Sequence, residues 1–454
     1  MGERPSMVIK KEHIVMRVKE ASDPVRKAVI YQINLRVFTK EGTISAAEKF
    51  LPDVVASGAD IIYLCPFVEA DDDQCYEYWS ERQKKSCCMN PRNPYRLMDY
   101  FRVDREYGKE EDFKSFVTVA HRLGLKVMMA LVYMHAGPTF AKRFPQFVKL
   151  DADGNPLLNS YHFCTIDFDS RELREYLWDN MLYFVKECGI DAYRCDVGGS
   201  VPLDFWIEGV RRIKQIRPDF IMLNENELKY RPEDQLEAFD INYSHFWVMY
   251  AMRDIFLCGM PAAALETAWR GEHGAAENGM SLRCIEHHDT ANDMYHNRME
   301  KISSAKCEAA LVLCYCIDGV PLLYNGCEYR DTSRHSIFGR KGQFTIDRSG
   351  DPSERMAFLR KLAEIHRNEQ AILYGSTEWI QHDKRETVCA ILRSTETEAI
   401  FCAVNLGDKK CEVHCPANRN LSSGHRLLER GFFFSDAGFT LEANGFIILK
   451  KETL

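Results

Sequence analysis

From about residue 28 to residue 370, short apolar runs alternate with stretches whose apolar positions repeat every three to four residues. The runs are 28–34 (AVIYQIN), 60–66 (DIIYLCP), 125–132 (LKVMMALV), 190–196 (IDAYRCD), 220–226 (FIMLNEN), 238–242 (AFDIN), 281–287 (SLRCIEH) and 320–326 (VPLLYNG). Between them lie helix patterns such as 110–124, with Phe113, Phe116, Val117, Ala120 and Leu123 on one face, and 170–189, opened by Ser170 and closed by Gly189. Strands this apolar are buried on both faces, as in a parallel sheet covered by helices. Eight strand and helix repeats predict an α/β fold, a closed (β/α)8 TIM barrel. No Gly-x-Gly-x-x-Gly follows a strand, which argues against a dinucleotide-binding sheet.

Two polar, turn-rich stretches break the alternation, 67–99 after the second run and 136–167 after the third; the latter is predicted as a short inserted subdomain. Both follow the C-terminal ends of strands, where a barrel builds its active site. After about residue 372 the pattern changes to short alternating segments (386–394, 399–407, 409–416, 445–450), which predict a C-terminal antiparallel β-sandwich. The expected division is an N-terminal extension over 1–26, a barrel over 27–371 and a β-domain over 372–454.

With 59 basic and 67 acidic side chains in 454 residues and a net charge of −8, the chain has the balance of a soluble globular protein and not of a nucleic-acid binder. The longest uncharged apolar stretch, 309–317, falls far short of the roughly 20 residues that cross a bilayer, so no membrane partner is expected. Charges at Glu3, Arg4, Lys10, Lys11 and Glu12 leave no apolar leader, and a cytoplasmic location is expected. The 17 cysteines, an odd number set mostly in apolar runs, read as reduced buried thiols. Oligomeric state is left open.

Three carboxylates end candidate strands: Asp196 the fourth, Glu225 the fifth and Asp289 the seventh. A closed barrel brings such ends to one mouth, and convergent carboxylates suit glycoside cleavage, in which one attacks the anomeric carbon and another serves as acid and then base. Arg194, two residues before Asp196, shares its face, and His135 and His288 are further polar groups at strand ends.

The segments PYRLMDYFRVDREYG (94–108), LVYMH (131–135), TIDFD (165–169), YRCD (193–196), EHHD (286–289) and GVPLLYNGCE (319–328) resemble, in order and spacing, the conserved stretches of the α-amylase superfamily of retaining glycoside hydrolases and transglycosylases. The resemblance covers roughly residues 28–405. It implies that Asp196 is the nucleophile, Glu225 the general acid/base and Asp289 the transition-state-stabilising aspartate, with Tyr95, His135, Arg194 and His288 binding the sugar or holding the nucleophile. The implied activity is hydrolysis of α-glucans or maltooligosaccharides through a covalent intermediate. A transglycosylase and a catalytically weakened carbohydrate-binding homologue are the alternatives. Tyr76, Tyr78 and Trp79 are candidates to stack on further sugar units.

The sequence also departs from the family pattern. Met134 stands where many members place an asparagine ligand of a structural calcium; a thioether does not bind that hard cation, so no metal and no cofactor are expected. Ser200 replaces a frequent histidine and His287 a usual asparagine. Ala130 stands where the family has an aspartate beside the arginine, which predicts that Asp196, a water or a carbonyl compensates at Arg194, and that Ala130→Asp is tolerated.

Overall fold

The computed structural model describes residues 16–291, 298–415, 424–435 and 438–452. Eight parallel strands make one sheet: β1 (Ile30–Ile33), β2 (Ile61–Leu64), β3 (Lys126–Leu131), β4 (Ala192–Cys195), β5 (Ile221–Asn224), β6 (Ile241–Asn242), β7 (Leu282–Arg283) and β8 (Val320–Tyr324). Their hydrogen-bonded order is β7-β8-β1-β2-β3-β4-β5-β6, and a parallel bridge from Asn242 to Ser281, just before β7, closes the ring. Each predicted run contains one barrel strand. Alternate side chains of a strand face the barrel interior and the surrounding helices, so both sets must be apolar, and Ile30, Ile62 and Val127 are wholly buried.

The loop after β2 carries the short helix α1 (Glu81–Lys85), capped by the Ser80 side chain. Helix α2 (Glu110–Arg122) buries Phe113, Phe116, Val117 and Ala120, the face its periodicity predicts, whereas Leu123 is exposed at its C-cap. Helix α3 (Arg171–Tyr183) starts on Ser170 as expected, but its last turn, Phe184–Cys188, widens to a π-turn before Gly189 ends it at φ +74°. Helix α4 (Ser304–Cys316) buries nearly every residue because it lies between the barrel and the C-terminal sheet. That double cover explains the apolar stretch 309–317. No helix among the described residues is long and apolar enough to cross a membrane.

The C-terminal strands β9 (Ser376–Trp379), β10 (Val388–Ser394), β11 (Glu398–Asn405), β12 (Cys411–His414), β13 (His425–Ser435) and β14 (Gly438–Glu452) form a six-stranded antiparallel sheet. Phe401 of β11 pairs with Leu449 of β14, yet its ring centroid lies 5.6 Å from that of Phe439. Ten residues of straight strand would span about 33 Å, so β14 must bend back over the sheet. Asn444, at φ +53°, sits at that bend. The two ends of one sheet thus make the two layers of the expected sandwich. Ile400, Cys402 and Val404 face the barrel while Phe401 and Ala403 face the inner core, so these strands are apolar throughout.

Within the predicted N-terminal extension, Met16–Arg17 pairs in parallel with Ala276–Glu277, and residues 1–15 lie outside the described residues. Most of the cysteines are buried.

Candidate active site

Backbone pairing continues one residue beyond two barrel strands. The Asp196 amide donates to Leu131 O at 2.8 Å and the Glu225 amide to Cys195 O at 3.0 Å, which fixes both carboxylates at the C-terminal rim. Val197, next in the chain, takes φ +43° and ψ +39°, left-handed backbone that a β-branched residue enters only when its surroundings impose it. The strain turns the Val197 N–H onto Glu225 Oε2 at 2.7 Å. A Cβ on Gly198 would collide with the Asn224 carboxamide oxygen. Because Asn224 adjoins Glu225, Gly198→Ala is expected to displace the carboxylate: thermal unfolding should show a loss of about 1–3 kcal/mol, and kcat should fall about tenfold or more, as misplacement of a reacting group by a fraction of an ångström does.

Arg194, fully buried, lies behind the cavity wall. Its Nη1 donates to Asp196 Oδ1 at 2.5 Å. Its Nη2 lies 2.7 Å from Glu225 Oε2 but off the N–H direction, an ion pair without a formed hydrogen bond. The guanidinium also faces the Tyr243 ring at 5.1 Å. Burial, reinforced by the charge of Glu225, pushes Asp196 up to about 8. Glu225 is mostly enclosed, but Arg194 and then His245, whose Nε2 is 3.4 Å from Oε1, outweigh that burial and hold it well below the usual carboxylate range. The two carboxylates therefore titrate as a pair that favours one proton, with Asp196 raised and Glu225 lowered.

Ala130 is the β3 partner of Arg194 in register and is buried. Of the compensating groups expected there, Asp196 is present; Glu225 and the Tyr243 ring were not anticipated. The Tyr63 hydroxyl, buried without a hydrogen-bond partner, also feels the charge of Arg194. Arg194 already serves two carboxylates, so an aspartate at 130 would add a third anion to one cation. Contrary to the sequence expectation, Ala130→Asp should lower kcat/KM, measured against a wild-type control of equal thermal stability.

At the β7 rim Gln32 fixes His288: Gln32 Oε1 accepts from the His288 amide at 3.0 Å and Nε2 meets ring Nδ1 at 2.7 Å. Burial lowers His288 to about 4, so the ring is neutral, and the amide donor at Nδ1 puts the ring proton on Nε2. Nε2 lies 2.7 Å from the Tyr95 hydroxyl and 3.3 Å from Asp289 Oδ2, and the two rings stack at 8°. Arg82 of α1 donates to Asp289 Oδ1 at 2.8 Å. Burial disfavours the charge on Asp289, but His288 and Arg82 overcome it and hold the carboxyl well below its ordinary value.

His135 meets Asn159 Nδ2 at 3.2 Å through Nδ1, its Nε2 is buried with no partner, and burial lowers it to about 4. His135 and His288 both bind fewer protons in the folded than in the unfolded state between about pH 4 and about 6.5. Their contribution to stability is complete above about 6.5 and is lost as pH falls toward 4, by up to about 1.4 kcal/mol per pH unit for each ring. Thermal unfolding should show a smaller drop in Tm from pH 6.5 to 4.5 for His135→Gln than for the wild type; equal drops would show that the ring is charged in the fold.

Tyr95, His135, Asp196, Glu225, His288 and Asp289 line one cavity of about 390 Å³, so all the predicted site residues meet there, with Arg194 behind them. The insertion over 136–167 contributes Ser160, Tyr161 and Phe163 to its wall. Tyr76, Tyr78 and Trp79 do not line it: Trp79 is buried and Tyr76 packs on Trp79 at 4.9 Å, so these rings hold the loop together. Arg82, Gln32 and His245 were missed by sequence reasoning. Gln32 had a signal, a polar residue inside an otherwise apolar run. Arg82 and His245 sit on loops that carry no periodicity.

Met134 packs against the core, and the His135 carbonyl accepts from the Tyr100 hydroxyl at 3.0 Å. Among the described residues, the one group of three His, Cys, Asp or Glu side chains whose ligand atoms converge is His287, His288 and Asp289, two imidazoles and a carboxylate, a poor donor set for a hard cation.

This is a (β/α)8-barrel protein with a C-terminal β-sandwich and carboxylates at the ends of three strands, β4, β5 and β7. Residues 47–150 match the family model for the α-amylase catalytic domain. The chain is 24% identical over 411 residues to an α-amylase, MalA, of Haloarcula japonica, covering 86% of this chain and 57% of that protein. It is likewise 24% identical over 343 residues to a cyclomaltodextrinase of a Bacillus species, covering 68% and 59%. The chain thus spans less than two thirds of the length of these curated relatives. A solved maltogenic α-amylase of Thermotoga neapolitana superposes with a TM-score of 0.78 at 23% identity, covering 94% of this chain and 99% of that one. An α-amylase of Lactobacillus plantarum gives 0.78 at 22%, covering 95% and 100%. By these likenesses the chain is similar to α-amylases over residues 47–150 and shares their fold.

Proposed function

We propose that the chain is a retaining α-glycoside hydrolase acting on α-glucans or maltooligosaccharides, with Asp196 as nucleophile, Glu225 as acid/base and Asp289 steadying the charge that develops on the sugar. The observation that carries this reading is the single guanidinium of Arg194 gripping both Asp196 and Glu225 at the floor of the cavity. One guanidinium fork holding both carboxylates supports a closely spaced pair, and retention calls for the two carboxyl groups to lie about 5–5.5 Å apart rather than the roughly 6.5–9.5 Å of an inverting enzyme. One proton shared between them is the count that retention requires, one ionised nucleophile and one protonated acid.

In this reading the Asp196 carboxylate bonds to the anomeric carbon as the glycosidic C–O bond breaks, and Glu225 passes its proton to the leaving oxygen. Glu225 then takes a proton from water, whose oxygen bonds to the same carbon and releases Asp196. His135 Nε2 and the Tyr95 hydroxyl, both at the cavity, would bind sugar hydroxyls, and the Tyr161 and Phe163 rings would cover apolar sugar faces. The barrel over 27–371, with its insertion over 136–167, would be the catalytic unit and 372–454 its β-domain.

The substrate class is supported by the names of relatives, which include cyclomaltodextrinase and maltogenic α-amylase. A cytoplasmic location is supported by an intracellular maltogenic amylase of Bacillus subtilis, 22% identical over 341 residues. The test is incubation of purified protein with a maltooligosaccharide panel, proton NMR of the first sugar released, and mass spectrometry after a fluorinated glucosyl donor. The α-anomer and a covalent adduct on Asp196 are expected. A β-anomer would overturn retention, and the absence of both release and adduct would favour a binding protein.

A further inference from the structure

Glu225 is held from two sides: Arg194 faces Oε2, and His245, on the loop after β6, reaches Oε1 with Nε2 at 3.4 Å. The imidazole is fixed between Tyr243, at 5.3 Å between ring centroids, and His287, at 6.1 Å. A second carboxylate lies close to it. Glu227 Oε1 accepts at 3.2 Å from the amide of Phe246, the residue after His245. Glu227 Oε2 and His245 Nδ1 are both buried with no hydrogen-bond partner, although each side chain feels the other's charge.

A buried acceptor and a buried ring nitrogen left unpaired are each costly, and the two costs fall together if the ring is an imidazolium, whose Nδ1–H then lies in the field of Glu227. Burial opposes the charge on His245, but Glu225 and Glu227 from the β5 rim and Asp289 from the β7 rim outweigh it, with the neutral His287 ring alongside. Burial pushes Glu227 itself up to about 7, reinforced by Glu272 and opposed by the charge of His245. Around Glu225 the remaining charges are Arg194 and Asp196 from β4 and Asp289 from β7.

We infer that His245 is a positioning residue for Glu225, and Glu227 for His245: an imidazolium held between two carboxylates fixes Oε1 and favours the ionised form of Glu225, making it a stronger acid toward the leaving oxygen. The inference rests on the reading of Glu225 as acid/base. Loss of the imidazolium would leave Glu225 protonated to higher pH, so the alkaline limb of the rate profile, which reports the acid, would move up.

The test is the pH dependence of kcat/KM for wild type, His245→Gln and Glu227→Gln on a maltooligosaccharide and on α-glucosyl fluoride, whose leaving group needs no proton. In His245→Gln the alkaline limb should rise by about half a pH unit or more, and the loss on the oligosaccharide should exceed that on the fluoride by about tenfold. Glu227→Gln, which keeps the ring but removes one of the anions that favour its charge, should move the limb the same way by less, and it carries the test if His245→Gln fails to fold. An unmoved limb in the folded variants, or equal losses on the two substrates, would overturn the inference. A wild type inactive on both substrates would overturn the reading of Glu225 itself, and this inference with it.

Discussion

Replacement of Asp196 by Asn or of Glu225 by Gln is expected to lower turnover of a maltooligosaccharide about a thousandfold or more, the scale on which a covalent nucleophile or a positioned acid contributes. Folding should be little affected, because each amide keeps the volume of the carboxyl it replaces and the other carboxylate still faces Arg194. The resting electrostatics makes the assignment of roles worth testing directly, since Asp196 is raised to about 8 and Glu225 is the more strongly held as an anion. Azide separates the two. With α-glucosyl fluoride, a variant lacking the nucleophile, Asp196→Ala, should yield the β-glucosyl azide by one displacement. Glu225→Ala still forms the glycosyl-enzyme and should yield the α-glucosyl azide by two. The opposite pairing of product with variant would exchange the roles, and near wild-type turnover in either Asn or Gln variant would remove that residue from the mechanism.

All eight barrel strands were legible in the sequence because a strand buried on both faces has no freedom to be polar, and the barrel has no other way to bury them. The carboxylates and Arg194 were legible for a related reason: a charge at the end of an apolar run stands out. Gln32 was not, although it orients His288 through two hydrogen bonds, since one amide inside AVIYQIN reads as tolerance and not as design. Arg82 reaches Asp289 from a helix of five residues in a long loop, and His245 reaches Glu225 from the start of a π-turn. Their positions follow from how the chain crosses the barrel mouth, which periodicity does not encode. Ala130 taught the converse: a missing family aspartate looked like a deficit at Arg194, but Glu225 and the Tyr243 ring also meet the guanidinium.

Arg194 is the residue whose loss should be felt in both catalysis and stability. Arg194→Met keeps much of the side-chain volume but leaves Asp196 and Glu225, both nearly enclosed, without the cation they share. Removing one partner of a buried ion pair costs about 3–5 kcal/mol when the remaining charge cannot be neutralised. Here it can be, by protonation, so the cost depends on pH. In the variant the folded-state pKa of both carboxyls lies above the unfolded value of about 4, so the folded protein binds more protons than the unfolded one at intermediate pH, and stability falls as pH rises through that range. The deficit in Tm relative to wild type should therefore be small at pH 5 and large at pH 8. Turnover should drop about a thousandfold at neutral pH, because without the guanidinium both carboxyls are held protonated and neither is left as the anion that attacks the anomeric carbon, and trapping by a fluorinated donor should reappear only slowly as pH is raised. A Tm deficit that does not change with pH would mean that the two carboxylates find another cation, and the shared guanidinium would lose its place at the centre of the site.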